Sequence, residues 1–188
     1  MLAACGLDRL VGDPRWCLHP VVVMGWWISR LRRLAEAWAG GSPWLLRLAG
    51  ALITLLLVLG SGLAGWSLEQ LALGSAAWLP APLASLVWLL LLLALASALA
   101  GRSLESAVLA VLDALPDLPL ARQRLAWIVG RDVEGLDAAE IERAAAETAS
   151  ENAVDGLFAP LFWMLLGAAL WRLSGSTGPG PLALAWAY

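Results

Sequence analysis

At 188 residues with a net charge of −3, the chain has the length of one soluble domain but not the composition, since 61% is hydrophobic and only 14% charged where soluble domains run near a quarter charged. All twelve basic residues are arginine, which excludes lysine chemistry such as a Schiff base or a P-loop. Without a basic run beyond Arg30 to Arg33, nucleic acid is not an expected partner.

The start, MLAAC, lacks the basic flank and apolar run of a signal sequence, so residues 1–7 read as the end of a membrane helix. Cys5 and Cys17 form no CxxC pair, and neither a structural zinc site nor a disulfide framework is expected. Gly12-Asp13-Pro14 and His19-Pro20 follow. A residue before proline is pushed to extended or turn backbone, so Asp13 and the single histidine, His19, share a loop. That loop is either a rigid turn or one wall of a site.

Residues 21–38 combine apolar positions with a basic face, which predicts an amphipathic helix on the membrane surface or packed on the protein itself. Leu48 to Leu68 carries no charge; as a helix it spans roughly 30 Å, the thickness of the hydrocarbon core. A second apolar run, broken by Pro80 and Pro82, predicts a span at about Leu83 to Ala100. Arg30, Arg32, Arg33 and Arg47 precede the first span, and the connection between spans holds Glu69 and no basic residue. The positive-inside rule then sets residues 20–47 in the cytoplasm, 69–82 outside, and 102–155 back in the cytoplasm. Trp26, Trp27, Trp38 and Trp44 on one side, with Trp66 and Trp78 on the other, fit two aromatic belts.

Residues 102–155 hold eleven of the fifteen acids and have the one soluble-like composition in the chain. Within them, Asp137 and Glu140 form a capping-box pattern, with Leu136 and Ile141 at the staple positions. A helix is expected from about Ala138 to Asn152, interrupted by Gly156 and Pro160. Leu157 to Trp171 is apolar but short for a crossing, so it reads as re-entrant, kinked, or extended by the residues before Pro160. The last stretch, SGSTGPGPLALAWAY, is a loop entering a new apolar run at Leu182. The expected fold is thus an all-α, polytopic helical membrane protein. Residues 1–188 form one membrane domain, expected to be incomplete at the C-terminus, with 102–155 a cytoplasm-facing polar segment inside it.

On the helix after Ala138, Glu140, Arg143, Glu147, Glu151 and Asp155 fall within one sector of roughly 120°. Like charges at i, i+4 repel by a few tenths of a kcal/mol, and one arginine does not balance four acids. A divalent cation, a cationic ligand or arginine from elsewhere would complete the face; a plain solvated surface is the competing reading. Asn152 and Asp155 abut the apolar run that follows, and ionisable groups at a membrane boundary tend to face a cavity or partner. Arg131 and Asp132, in the loop before the helix, form a local ion pair or a clamp for phosphate or carboxylate.

Three segments, LDRLVGDPRWCLHPVVVMGWWI, IVGRDVEGLDAAEI and ETASENAVDGLFAPLFW, resemble in order and spacing those of the CobD/CbiB family, membrane proteins of cobalamin biosynthesis. The E-T-x-x-E-N-x-x-D-G-x-x-A-P-L-F-W run is the most specific, and the resemblance extends over the whole chain. It implies an adenosylcobinamide-phosphate synthase: amide formation between aminopropanol, or its O-phosphate, and a propionate carboxylate of the corrin ring of cobyric acid, driven by ATP with Mg²⁺. Carried onto this sequence, the resemblance implies Glu147, Glu151, Asn152 and Asp155 as catalytic candidates, with Glu147 and Glu151 as Mg²⁺ ligands. Asp13, His19, Arg131 and Asp132 become substrate-binding candidates. The implied partners are the corrinoid, the amine, the lipid bilayer and other membrane enzymes of the pathway; the implied location is the inner membrane, with the polar site facing the cytoplasm. Val133 departs from the family, which usually has threonine there. Members also continue past a position like Tyr188 into further helices and a Thr-Leu-Asp-Ser motif. A transporter or non-catalytic membrane subunit is the alternative, and it would favour inverted repeats with matched broken helices, which the sequence lacks.

Overall fold

The computed structural model describes residues 1–12 and 20–188. Asp13, His19 and Cys17 lie outside the described residues. Helices run in the order α1 (Leu2–Val11), α2 (Pro20–Ala39), α3 (Pro43–Trp78), α4 (Ala81–Ala96), α5 (Gly101–Leu112), α6 (Leu118–Leu125), α7 (Ala138–Ala153), α8 (Ala159–Ser174) and α9 (Pro181–Ala187), with no strand among the described residues. The all-α expectation holds.

Two helical stretches are long and apolar enough to cross a membrane, Pro43–Trp78 and Ala138–Ser174, and α4 with α5 makes a third if that bent pair counts as one span. Along α3, Leu52, Leu55, Leu56, Leu59 and Leu63 are all more than half exposed. Burying a leucine side chain is worth about 1.5–3 kcal/mol, so such a row is costly in water and natural against lipid. Trp44 and Trp66, 22 residues apart on α3, are separated by roughly 33 Å, close to the hydrocarbon thickness.

The structure corrects two expectations and settles a third. First, residues 69–78 are not a connection between spans, because α3 continues through Glu69 and Gln70 to Trp78, and only Leu79 and Pro80 separate it from α4. Glu69 is 1% exposed, and its carboxyl oxygens accept from backbone N–H groups rather than from a loop's water. Second, the span placed at Leu83–Ala100 ends at Ala96; after a short break, α5 leaves at a 41° bend.

Third, Gly156 and Pro160 interrupt the α-helical pattern one residue from the expected Asn152 without ending the helix, so the apolar run is the extended one of the three alternatives. Val154–Phe158 form a π turn that passes α7 directly into α8. Pro160 has no N–H to offer the carbonyl four residues back, which is that of Gly156. That carbonyl instead accepts from Ala100 N–H at 2.9 Å. Ala100 is the N-cap of α5, where backbone donors also lack intrahelical partners. Two orphaned groups thus satisfy each other and tie the α4–α5 bend to the π turn.

The polar segment has its own core, in which α5, α6 and α7 bury Val111, Ala121, Leu125, Ile141, Ala144 and Ala145. Arg122 donates from Nε and Nη2 to the carbonyl of Leu136, at 2.8 and 2.6 Å, fixing the loop ahead of α7. Val133 is buried in this core, so the methyl group that replaces a hydroxyl is matched by an apolar setting. The amphipathic helix is present as α2. It turns Met24, Leu31, Ala35 and Ala39 inward and leaves Val23, Trp27, Leu34 and Trp38 exposed beside Arg30, Arg32 and Arg33.

Candidate functional site

The capping box forms as expected. Asp137 Oδ1 accepts from Glu140 N–H at 2.8 Å, and Glu140 Oε2 accepts from Asp137 N–H at 2.9 Å. This fixes the start of α7 and therefore the phase of its faces. Ile141, Ala144, Ala145 and Thr148 are buried, which leaves Glu140, Arg143, Glu147 and Glu151 on the exposed side.

Arg131 does not pair with Asp132. Its Nη2 reaches Glu147 Oε2 at 2.9 Å, while Asp132 Oδ1 accepts from Glu134 N–H at 2.9 Å and stiffens the turn. The middle motif is thereby bound to the face carrying the E-T-x-x-E-N run. Glu151 and Asn152 are exposed, with no side-chain hydrogen bond or ion pair among the described residues. Asp155 lies on the π turn, a distortion found mostly as single turns inside α-helices and frequently at functional sites. Its Oδ1 accepts from the Tyr188 hydroxyl at 3.1 Å, and the Tyr188 ring stacks on Trp163 with centroids 6.4 Å apart.

Four residues that sequence reasoning did not single out complete this region: Asp8, Arg102, Glu69 and Tyr188. Asp8 is buried at the C-terminal end of α1, and its Oδ2 lies 3.4 Å from Arg102 N–H. The same oxygen would sit 2.9 Å from a Cβ at Gly101, so glycine is what admits a carboxylate to the first turn of α5. Arg102 returns the favour at the other helix end, donating from Nη1 to the carbonyls of Arg9 and Leu10 at 2.7 and 2.5 Å, where a cation suits the helix dipole. Arg9 and Glu105 add an ion pair at 2.9 Å. Gly12, at φ 64°, leaves no room for a side chain, since a Cβ would meet Arg102 Cδ at 2.9 Å. The one available signal was position: Arg102 is the first charge after the apolar run that ends at Gly101.

The end of α1, the α4–α5 bend and the π turn therefore meet. Glu147 and Glu151 stand one helical turn apart on the approach to that meeting point, with Arg131 beside the first. No three His, Cys, Asp or Glu among the described residues stand close enough to cage a metal ion. Mg²⁺ is commonly held by only one or two carboxylates, with phosphate and water supplying the rest. Glu147 and Glu151, exposed and one turn apart, are the carboxylates that could take that part, with Arg131 held on Glu147.

A sequence profile of the family described as CobD/Cbib protein matches residues 1–188. The chain belongs to that family. It is 39% identical over 177 residues to the cobalamin biosynthesis protein CobD of Chromobacterium violaceum, covering 90% of this chain and 53% of the relative. It is also 39% identical to the CobD of Geobacter metallireducens, over 99% of this chain and 52% of the relative, and 40% identical to that of Pelobacter propionicus, over 86% and 47%. The chain spans about half the length of these curated relatives. No solved structure matches it. The three segments that suggested the family thus lie in a CobD/Cbib family chain whose helices are long and apolar enough to cross a membrane.

Proposed function

We propose that this chain carries part of an ATP-dependent amide-forming site of cobalamin biosynthesis, which joins aminopropanol or its O-phosphate to a corrin propionate of cobyric acid. The observation that carries the reading is the joining of two polar motifs by the Arg131–Glu147 pair, on a helix face that runs into the π turn and Asp155. That geometry adds to the family membership.

The reaction consumes a carboxylate, an ammonium group and ATP, and releases the amide, ADP, phosphate and a proton. A carboxylate is a poor electrophile at neutral pH, so one of its oxygens must leave as phosphate. Phosphorylation gives an acyl phosphate; the free amine then attacks its carbonyl carbon, the C–O bond to phosphate breaks, and the amine loses a proton. Glu147 and Glu151 are the groups that would hold Mg²⁺, which neutralises phosphate charge when bound. Arg131 stabilises phosphate oxygens, being always charged and forked for bidentate contact. Asp155 accepts hydrogen bonds at the boundary of the apolar helix α8, which suits it to hold the ammonium group and take its proton.

A transport role would draw on an ionisable residue inside a span. Glu69 is the obvious one, yet its oxygens accept from three backbone N–H groups in the protein interior, which favours a structural use. We further propose that the polar segment 102–155 faces the cytoplasm at the inner membrane, and that other membrane enzymes of the pathway are its neighbours. Asp13, His19 and Asp132 remain proposed contributors to substrate binding.

The test is direct. The full-length gene product, purified in detergent, is given cobyric acid, aminopropanol phosphate, ATP and Mg²⁺. The expected result is the amide product with one ADP per amide. No product, where a CobD relative under the same conditions gives it, would overturn the reading.

A further inference from the structure

One turn of α3 holds the whole α8–α9 connection. Trp66 Nε1 donates to the Thr177 carbonyl at 3.2 Å and Gln70 Nε2 to that of Ser176 at 3.0 Å. Between them, the Glu69 carboxylate accepts from Gly180 N–H at 3.0 Å, Leu182 N–H at 2.5 Å and Ala183 N–H at 3.4 Å. These are the donors at the start of α9, which has no capping side chain of its own. The start of α9 is therefore held by groups outside it.

Packing leaves α9 little freedom. A Cβ at Gly65 would lie 2.9 Å from the backbone of Ala183, and one at Gly167 would lie 2.3 Å from the carbonyl oxygen of Gly180. Leu182, Ala183 and Ala185 are buried. At its far end α9 delivers Tyr188, whose hydroxyl meets Asp155 on the π turn and whose ring stacks on Trp163.

We propose that Glu69 is a positioning residue: by anchoring the start of α9, it sets Tyr188 against Asp155 and so fixes the orientation of that carboxylate. The functional half of this inference rests on Asp155 belonging to the amide-forming site. The conformational half does not, and it can be read separately.

Tyr188 is the chain's only tyrosine, so ultraviolet titration of tyrosinate reports on it alone. Its hydroxyl donates to Asp155 Oδ1, a bond the phenolate cannot make, so losing that bond favours ionisation of the ring. The experiment uses the 188-residue chain in lipid nanodiscs, as wild type and as E69Q, with circular dichroism as the fold control. In E69Q, amide hydrogen exchange at residues 180–183 should accelerate at least tenfold, and the tyrosine titration should move to lower pH at unchanged helix content. D155N should shift the titration in the same direction without accelerating exchange at 180–183. An unchanged titration in E69Q overturns the inference. If E69Q does not insert, E69D decides the same point: withdrawing the carboxylate by one methylene should release residues 180–183 and lower the titration, and wild-type behaviour in both overturns it.

The functional half is read in the full-length gene product. E69Q and Y188F should each lower turnover, with E69Q adding no further loss in the Y188F background. Independent, multiplying losses would overturn the link. A wild type without amide-forming activity would sink the reaction reading while leaving the exchange and titration results to judge the anchor.

Discussion

The behaviour of single residues here follows from what each carboxylate and guanidinium touches. Arg131 and Glu147 are both about half exposed, and such a pair is worth only about 0.2–1 kcal/mol. Arg131→Gln should therefore leave thermal stability nearly unchanged while lowering turnover by at least tenfold, with KM for ATP raised. The charge-swapped double variant R131E/E147R should restore the ion pair without restoring activity; wild-type turnover in that variant would show that the pair is structural only. Gly167 behaves oppositely. Its replacement by alanine forces a Cβ against the backbone of Gly180, and overpacking of this kind costs about 1–3 kcal/mol. A lower melting temperature in detergent with faster exchange in α9 is expected. These contacts were not legible in the sequence, because a carboxylate at the start of a helix far away in the chain, such as Asp8 on α5, leaves no periodic trace.

Elements were easier to read where local chemistry decides them. The start of α7 was legible because Asp137 and Glu140 satisfy each other's backbone groups across three residues. Asp137→Ala should cost about 1 kcal/mol and fray the first turn, measurable as faster exchange at residues 138–141. The end of α7 was legible to within a residue, Ala153 for Asn152, but the π turn that carries it into α8 was not, for a physical reason. Gly156 and Pro160 are breakers only where the orphaned carbonyl has no other donor, and here Ala100 supplies one from the α4–α5 bend. Likewise α3 outlasts the hydrophobic run because Glu69 is satisfied by α9, a partner 113 residues away in sequence.

At the scale of the molecule, apolar α3 and α8 define a membrane protein, and α5 to α7 add a small polar bundle with its own core. Family membership was legible because its motifs lie in the polar segments. The grouping of the candidate residues was legible in part: Glu147, Glu151, Asn152 and Asp155 share one helix and its π turn, and Arg131 joins them. Asp8 and Arg102 required the fold. On α2, the exposed row Val23, Trp27, Leu34 and Trp38 beside three arginines should lie in the lipid headgroup region. The share of tryptophan emission quenched by brominated lipids should fall when Trp27 and Trp38 are both changed to phenylalanine, and an unchanged quenched share would place this face elsewhere.

The proposed amide-forming reaction is assigned to the point where the face of α7 meets the π turn. Its most direct measurement is the turnover of cobyric acid by purified full-length Asp155→Asn protein beside wild type, at matched helix content and melting temperature. At least a hundredfold loss is the predicted result. Turnover within twofold of wild type would contradict that assignment.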